Sequence, residues 1–196
     1  MRTLIRLLVV LVALAMSGCA AVSKSECQTG DWYDIGVRDG ANGYGEERFL
    51  ENAQACAKHG VAADRERWLD GRMRGLERYC TPHNGFEVGA RNNSYGGVCS
   101  QLGEGEFLHA YNVGRELADA RAHLEHWNGE IHEIQERLDR DDKKDKNDSG
   151  SKDETGDKRL TKEERVELGI RMGVAIVRRE EAQRAVAELE ARGREF

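Results

Sequence analysis

Apolar residues are scarce in this chain: 39% of 196 residues are hydrophobic, and the mean hydropathy is -0.71. That excludes a multi-pass membrane protein, which needs repeated apolar runs of about 20 residues. A basic surplus is missing too, with 30 lysines and arginines against 36 acids and a net charge of -6. Phosphate binding calls for a basic patch, so no nucleic-acid partner is expected. Strand-like alternation is rare, and the single proline, Pro82, lies in Thr81-Pro82-His83-Asn84-Gly85, which reads as a turn. The chain has no G-x-S-x-G elbow, no phosphate-cradling glycine loop and no C-x-x-C pair. No catalytic residue, metal ligand set or cofactor is therefore expected. His123, His126 and Glu130 follow one another at single-turn spacing, but they fall off the apolar seam described below and read as solvated side chains.

The one long apolar run is Leu7 to Met16. It follows Arg2 and Arg6 and precedes the small residues Ser17 and Gly18, the three-part layout of an export signal. Ten apolar residues are about half of what a spanning helix needs. Met16-Ser17-Gly18-Cys19 resembles the lipobox of bacterial lipoprotein precursors, with Met16 where leucine is more usual. The resemblance implies cleavage before Cys19, a diacylglyceryl thioether on its sulfur, and an amine acylated by a chain such as palmitate. Ala20 stands where an aspartate would retain the product in the inner membrane, so the implied destination is the periplasmic face of the outer membrane. Several acyl chains anchor stably, at about 0.8 kcal/mol per buried methylene.

Consuming Cys19 leaves Cys27, Cys56, Cys80 and Cys99, and an even number in an exported chain reads as two disulfides. Three connectivities are open. The expected one joins Cys27 to Cys56 and Cys80 to Cys99, closing two local loops.

These cysteines share residues 19–115 with most of the glycines and aromatics, where one pattern recurs: Tyr33-x-x-Gly36, Trp68-x-x-Gly71, Phe86-x-x-Gly89 and Tyr111-x-x-Gly114. Residues three and four apart share a helix face, so a ring beside a glycine notch is a surface on which another backbone can pack closely. Helix packing is the expected use; an aromatic-lined groove for a glycan is the alternative. Asp31-Trp32, Asp39-Gly40, Ala55 to Val61, Gly71 to Gly75, Tyr79-Cys80, Asn84 to Phe86 and Tyr95-x-Gly97-Val98-Cys99 also resemble a family of small Gram-negative lipoproteins of unknown function, over about residues 19–140. The resemblance implies a lipid-anchored, cysteine-bridged helical domain and supplies no activity.

Farther on, Leu117, Ala120, Leu124, Trp127, Ile131, Ile134 and Leu138 alternate spacings of three and four, the heptad seam of a coiled coil. Leu168, Met172, Ala175, Ala182, Val186, Leu189 and Phe196 form a related series that Arg179 and Gly193 interrupt, and Thr161-x-x-Glu164 is a capping box at its start. Residues 141–158 between them contain no apolar side chain and read as a disordered linker. Asp145-x-Asn147-x-Ser149-Gly150 resembles the opening of a calcium loop, but Gly156 replaces the acid at its twelfth place.

The expected fold is mainly α: a small disulfide-stapled helical head followed by a long coiled-coil hairpin. Its parts are a signal peptide (1–18), a lipidated tether (19–26), the Cys/Gly-rich head (27–106), a coiled-coil helix (107–140), the linker (141–160) and a second helix (161–196). The expected function is that of a non-catalytic outer-membrane lipoprotein with an adaptor or envelope-organising role. Its interaction face would be Leu117, Leu124, Trp127, Ile131, Ile134 and Leu138, meeting a helical partner or a second copy. A cell-wall enzyme or glycan-binding module built on Trp68 and Phe86 is the alternative.

Overall fold

The computed structural model describes residues 22–147 and 159–196; the leader segment, Cys19 and most of the charged linker lie outside them. The described residues form seven helices and no strand: α1 (Lys24–Thr29), α2 (Trp32–Ala41), α3 (Glu47–Ala57), α4 (Arg65–Tyr79), α5 (Pro82–Ala90), α6 (Glu104–Asn147) and α7 (Lys162–Gly193). None of them is long and apolar enough to cross a membrane.

Short polar side chains set the starts. Ser23 and Glu26 make a reciprocal capping box on α1, and the hydrogen bonds from Ser23, aided by Arg38, hold the Glu26 carboxyl below the usual range. Asp31 caps α2, Asp64 caps α4, and Thr161 with Glu164 boxes α7. Pro82 corrects the turn expected around it, because it opens α5. Proline suits the first helical position, where its missing N–H had no partner to lose, and Thr81 Oγ1 accepts the Asn84 N–H at 3.2 Å.

Two compact units are present. The first contains residues 22–84 and 95–107. Its core gathers Val22, Trp32, Ile35, Phe49 and Trp68 around the Cys27–Cys56 disulfide, with ring centroids 5.9 Å apart for Trp32 and Phe49 and 5.5 Å for Phe49 and Trp68. Helices α2 and α4 touch backbone to backbone. A Cβ on Gly36 would strike the Trp68 carbonyl and one on Gly71 the Tyr33 carbonyl, while Gly40 and Gly75 repeat the contact one turn on. The first two aromatic-glycine motifs are thus the two halves of one clasp. Asp39, buried beside it, accepts from Asn52 Nδ2 at 2.7 Å and Trp68 Nε1 at 2.9 Å, so its burial is hydrogen-bonded.

A second disulfide, Cys80–Cys99, ties the loop before α6 to the end of α4. Tyr95 pins the same loop: its hydroxyl accepts the Cys99 N–H at 2.8 Å and donates to Glu104 at 2.7 Å, and its ring lies 4.7 Å from that of Phe107. Burial, reinforced by the bond to Glu104, pushes the Tyr95 phenol up to about 12.

The second unit contains residues 85–94 and 108–196. The remaining two motifs clasp here, Gly89 against the Tyr111 carbonyl and Gly114 against the Phe86 carbonyl. Phe86, Ala110, Val113, Leu117 and Leu189 form its core. This clasp moves the expected boundary near residue 106, because it binds the latter part of α5 into the second unit.

From there α6 and α7 run antiparallel, as their ion pairs record: Glu116 with Arg192, Arg121 with Glu190, Glu130 with Arg171, and Asp141 with Arg165. Two further boundaries differ from the sequence reading. Lys24 already belongs to α1 where a tether was expected, and α6 continues to Asn147 into the expected linker. A packed seam nucleates the helix, after which each added residue gains a hydrogen bond at little cost. Asp141, accepting the Leu160 N–H and the Arg165 guanidinium, ties that extension to the start of α7 and is itself held below the usual carboxylate range, first by Leu160. The calcium-loop resemblance falls mostly on residues outside the described ones.

Candidate functional site

The second unit presents its chemistry on the two helices of the hairpin. On α6 the seam expected from the heptads is present: Leu117, Ile131 and Ile134 are buried, and Leu124, Trp127 and Leu138 are half-buried. On α7, Leu168, Ala175, Ala182 and Leu189 recur every seventh residue and are buried, with Met172, Arg179 and Val186 half-buried between them and Gly193 buried at the end. Arg179 and Gly193 therefore sit in the seam where the sequence reading had them interrupt it. Gly193 fits because the Phe86 ring fills the space its side chain would need. Arg179 fits by its aliphatic stem, at the expense of a buried Nε without a hydrogen-bond partner.

Leu117, Leu124, Trp127, Ile131, Ile134 and Leu138, expected as an interaction face, stand on the side of α6 that faces α7 in the expected hairpin. The chain's own α7 lies over this seam, with Leu117 and Leu189 in one core cluster and ion pairs between α6 and α7 on its flanks. Trp127 is the partial exception. Together with Ala120 and His123 it lines one wall of a groove of about 560 Å3 whose other wall is Val174, Arg178, Glu181 and Ala182.

Beside that groove the outer face of α7 carries the feature the sequence reading missed. Val166, Ile170, Val174 and Val177 are 63%, 64%, 52% and 53% exposed. Spacings of four, four and three put them on one side of the helix, and Gly173 opens a notch among them with no atom near its missing side chain. Helix α7 thus has two apolar stripes, one spent on α6 and one facing outward. The signal was legible as a second 3-4 series in residues 166–177, masked by the stronger series that begins at Leu168.

Other expected site residues are placed as follows. Cys27 is bonded to Cys56 and Cys80 to Cys99, so all four are structural. Cys19 lies outside the described residues. His123 and His126 are exposed, and among the described residues no three His, Cys, Asp or Glu side chains are grouped to hold a metal ion. Trp68 is 0% and Phe86 8% exposed, which corrects the glycan-binding alternative: rings consumed by two helix clasps have no face left to stack on a sugar.

Residues 31–116, less than half of the chain, match the family described as protein of unknown function (DUF2799). The match starts at the cap of α2 and ends on the first third of α6, so it covers the glycine clasps and the second disulfide and leaves out α7. No curated protein and no solved structure matches the chain.

Proposed function

We propose that this chain is a non-catalytic, lipid-anchored lipoprotein on the periplasmic face of the outer membrane, and that it organises the envelope by pairing through the outer stripe of α7. The stripe carries the reading: four branched aliphatic side chains, each more than half exposed on one helix face, lose unfavourable water contact when another helix covers them. The proposed cover is a second copy running antiparallel about a two-fold axis near Met172, which sets Ile170 of each copy against Val174 of the other. Anchoring rests on the Met16 to Cys19 motif, and the two disulfides support an oxidising compartment.

Light scattering on the Cys19→Ser chain tests the pairing: dimers are expected, and Ile170→Glu with Val174→Glu should return monomers with unchanged helical content. Monomers at every concentration up to the millimolar range would sink self-pairing, and photocrosslinking from position 170 in cells would then identify a different helical partner. Anchoring is tested separately: metabolic labelling with an alkynyl fatty acid should mark the wild-type chain, and Cys19→Ser should abolish the label and release the protein from membranes.

A further inference from the structure

The first unit holds one arginine unlike its neighbours. Arg38, Arg48, Arg65, Arg67 and Arg74 each pair with a carboxylate near the surface. Arg72 is 8% exposed and has none among the described residues. Its Nε donates to the Tyr44 carbonyl at 2.8 Å, and its guanidinium carbon stands 5.9 Å from the Trp68 ring centroid. Its two terminal NH2 groups find no acceptor among the described residues. They are not among the buried unsatisfied polar atoms, so the stem and Nε are packed while the NH2 groups of a permanently charged guanidinium stay open to a ligand.

Arg72 borders a cavity of about 570 Å3 within this unit, between the start of α3, the middle of α4 and the loop held by the Cys80–Cys99 disulfide. Leu69, Met73 and Val98 give it an apolar wall. Three carboxylates line it as well. Glu46 is engaged by Arg65, while Glu47 and Asp70 are exposed and make no ion pair among the described residues. A simple anion would meet Arg72 but also two unpaired carboxylates, and a simple cation would leave Arg72 as it is. A molecule carrying both charges satisfies all of them. The volume lies in the range of small-molecule sites.

We propose that this cavity binds a small zwitterion, a free amino acid or a short peptide with an apolar side chain. The carboxylate lies on the Arg72 guanidinium, which can hold it with two parallel hydrogen bonds. The ammonium faces Glu47 and Asp70, and the side chain rests on Leu69, Met73 and Val98. Nothing in this assignment depends on the lipid anchor or on α7.

The test is a thermal-shift and calorimetric panel on the full chain with Cys19→Ser: the common free amino acids, leucine-containing dipeptides, N-acetyl-leucine, leucinamide and acetate, each up to millimolar concentration. A zwitterion should bind at least tenfold more tightly than either singly charged leucine derivative, and amino acid against dipeptide separates the two sources. Arg72→Lys should weaken binding at least tenfold. The surface pair Glu47→Gln and Asp70→Asn should do the same without changing the melting temperature of the unliganded protein, which keeps the result readable if the Arg72 variant is unstable. No binding by any zwitterion in the panel, or equal affinity for N-acetyl-leucine, would overturn the assignment.

Discussion

At the scale of single residues, the glycines and one tyrosine carry the sharpest expectations. Gly36 and Gly71 each lie against a carbonyl of the facing helix, where a methyl group has no room. Gly36→Ala should therefore destabilise the first unit by about 1–3 kcal/mol, the usual cost of overpacking, even though alanine is the better helix former. Urea unfolding measures it; an unchanged midpoint would mean that the helices are not in contact there. Tyr95 gives a pH expectation. Its phenol is neutral in the fold and raised to about 12, against about 10 for a free tyrosine. The unfolded chain thus ionises first, so the stability Tyr95 contributes is complete below pH 10 and lost as pH rises toward 12. Absorbance at 295 nm should show a late-ionising phenol that is lost in Tyr95→Phe.

At the scale of elements, the hairpin is where sequence periodicity went furthest. The 3-4 alternation from Leu117 to Leu138 specified a seam, because burial on a helix must recur with the helix period. A chain's own second helix and a partner's helix satisfy the same pattern; the second apolar series after Thr161 favoured the hairpin, and α7 does pack on this seam. Arg179 tests the packing. Its buried Nε lacks a partner at a position between Ala175 and Ala182. Arg179→Leu should raise stability by about 1–3 kcal/mol by removing an unsatisfied buried donor, whereas Ala182→Asp should lower it. Denaturant midpoints with helical content as the readout decide; a less stable Arg179→Leu would show that the guanidinium is satisfied.

At the scale of the whole molecule, two covalent loops of sequence separation 29 and 19 staple the first unit. Small helical cores with this much interior glycine are costly to hold, since each glycine in a helix forfeits about 1 kcal/mol relative to alanine. Each disulfide contributes about 3 kcal/mol by restricting the unfolded chain. Reduction should therefore collapse the stability of the first unit while the hairpin, which has no cysteine, keeps its helicity. Circular dichroism with and without a phosphine reductant would show a partial loss of signal; complete unfolding would show that the hairpin cannot stand without the disulfides.

The amino-acid sequence by itself determined the helical class, the seam of α6, the caps at Asp64 and Thr161, and the packing use of the aromatic-glycine repeat. Each is a local rule, set by helix period, side-chain hydrogen bonding or glycine's missing Cβ. Tertiary structure alone decided which motif clasps which, that Pro82 opens a helix, and that Arg72 borders a cavity with no carboxylate partner among the described residues. Those outcomes depend on which surfaces meet after the chain has folded back, and spacing along the chain does not encode distance across it.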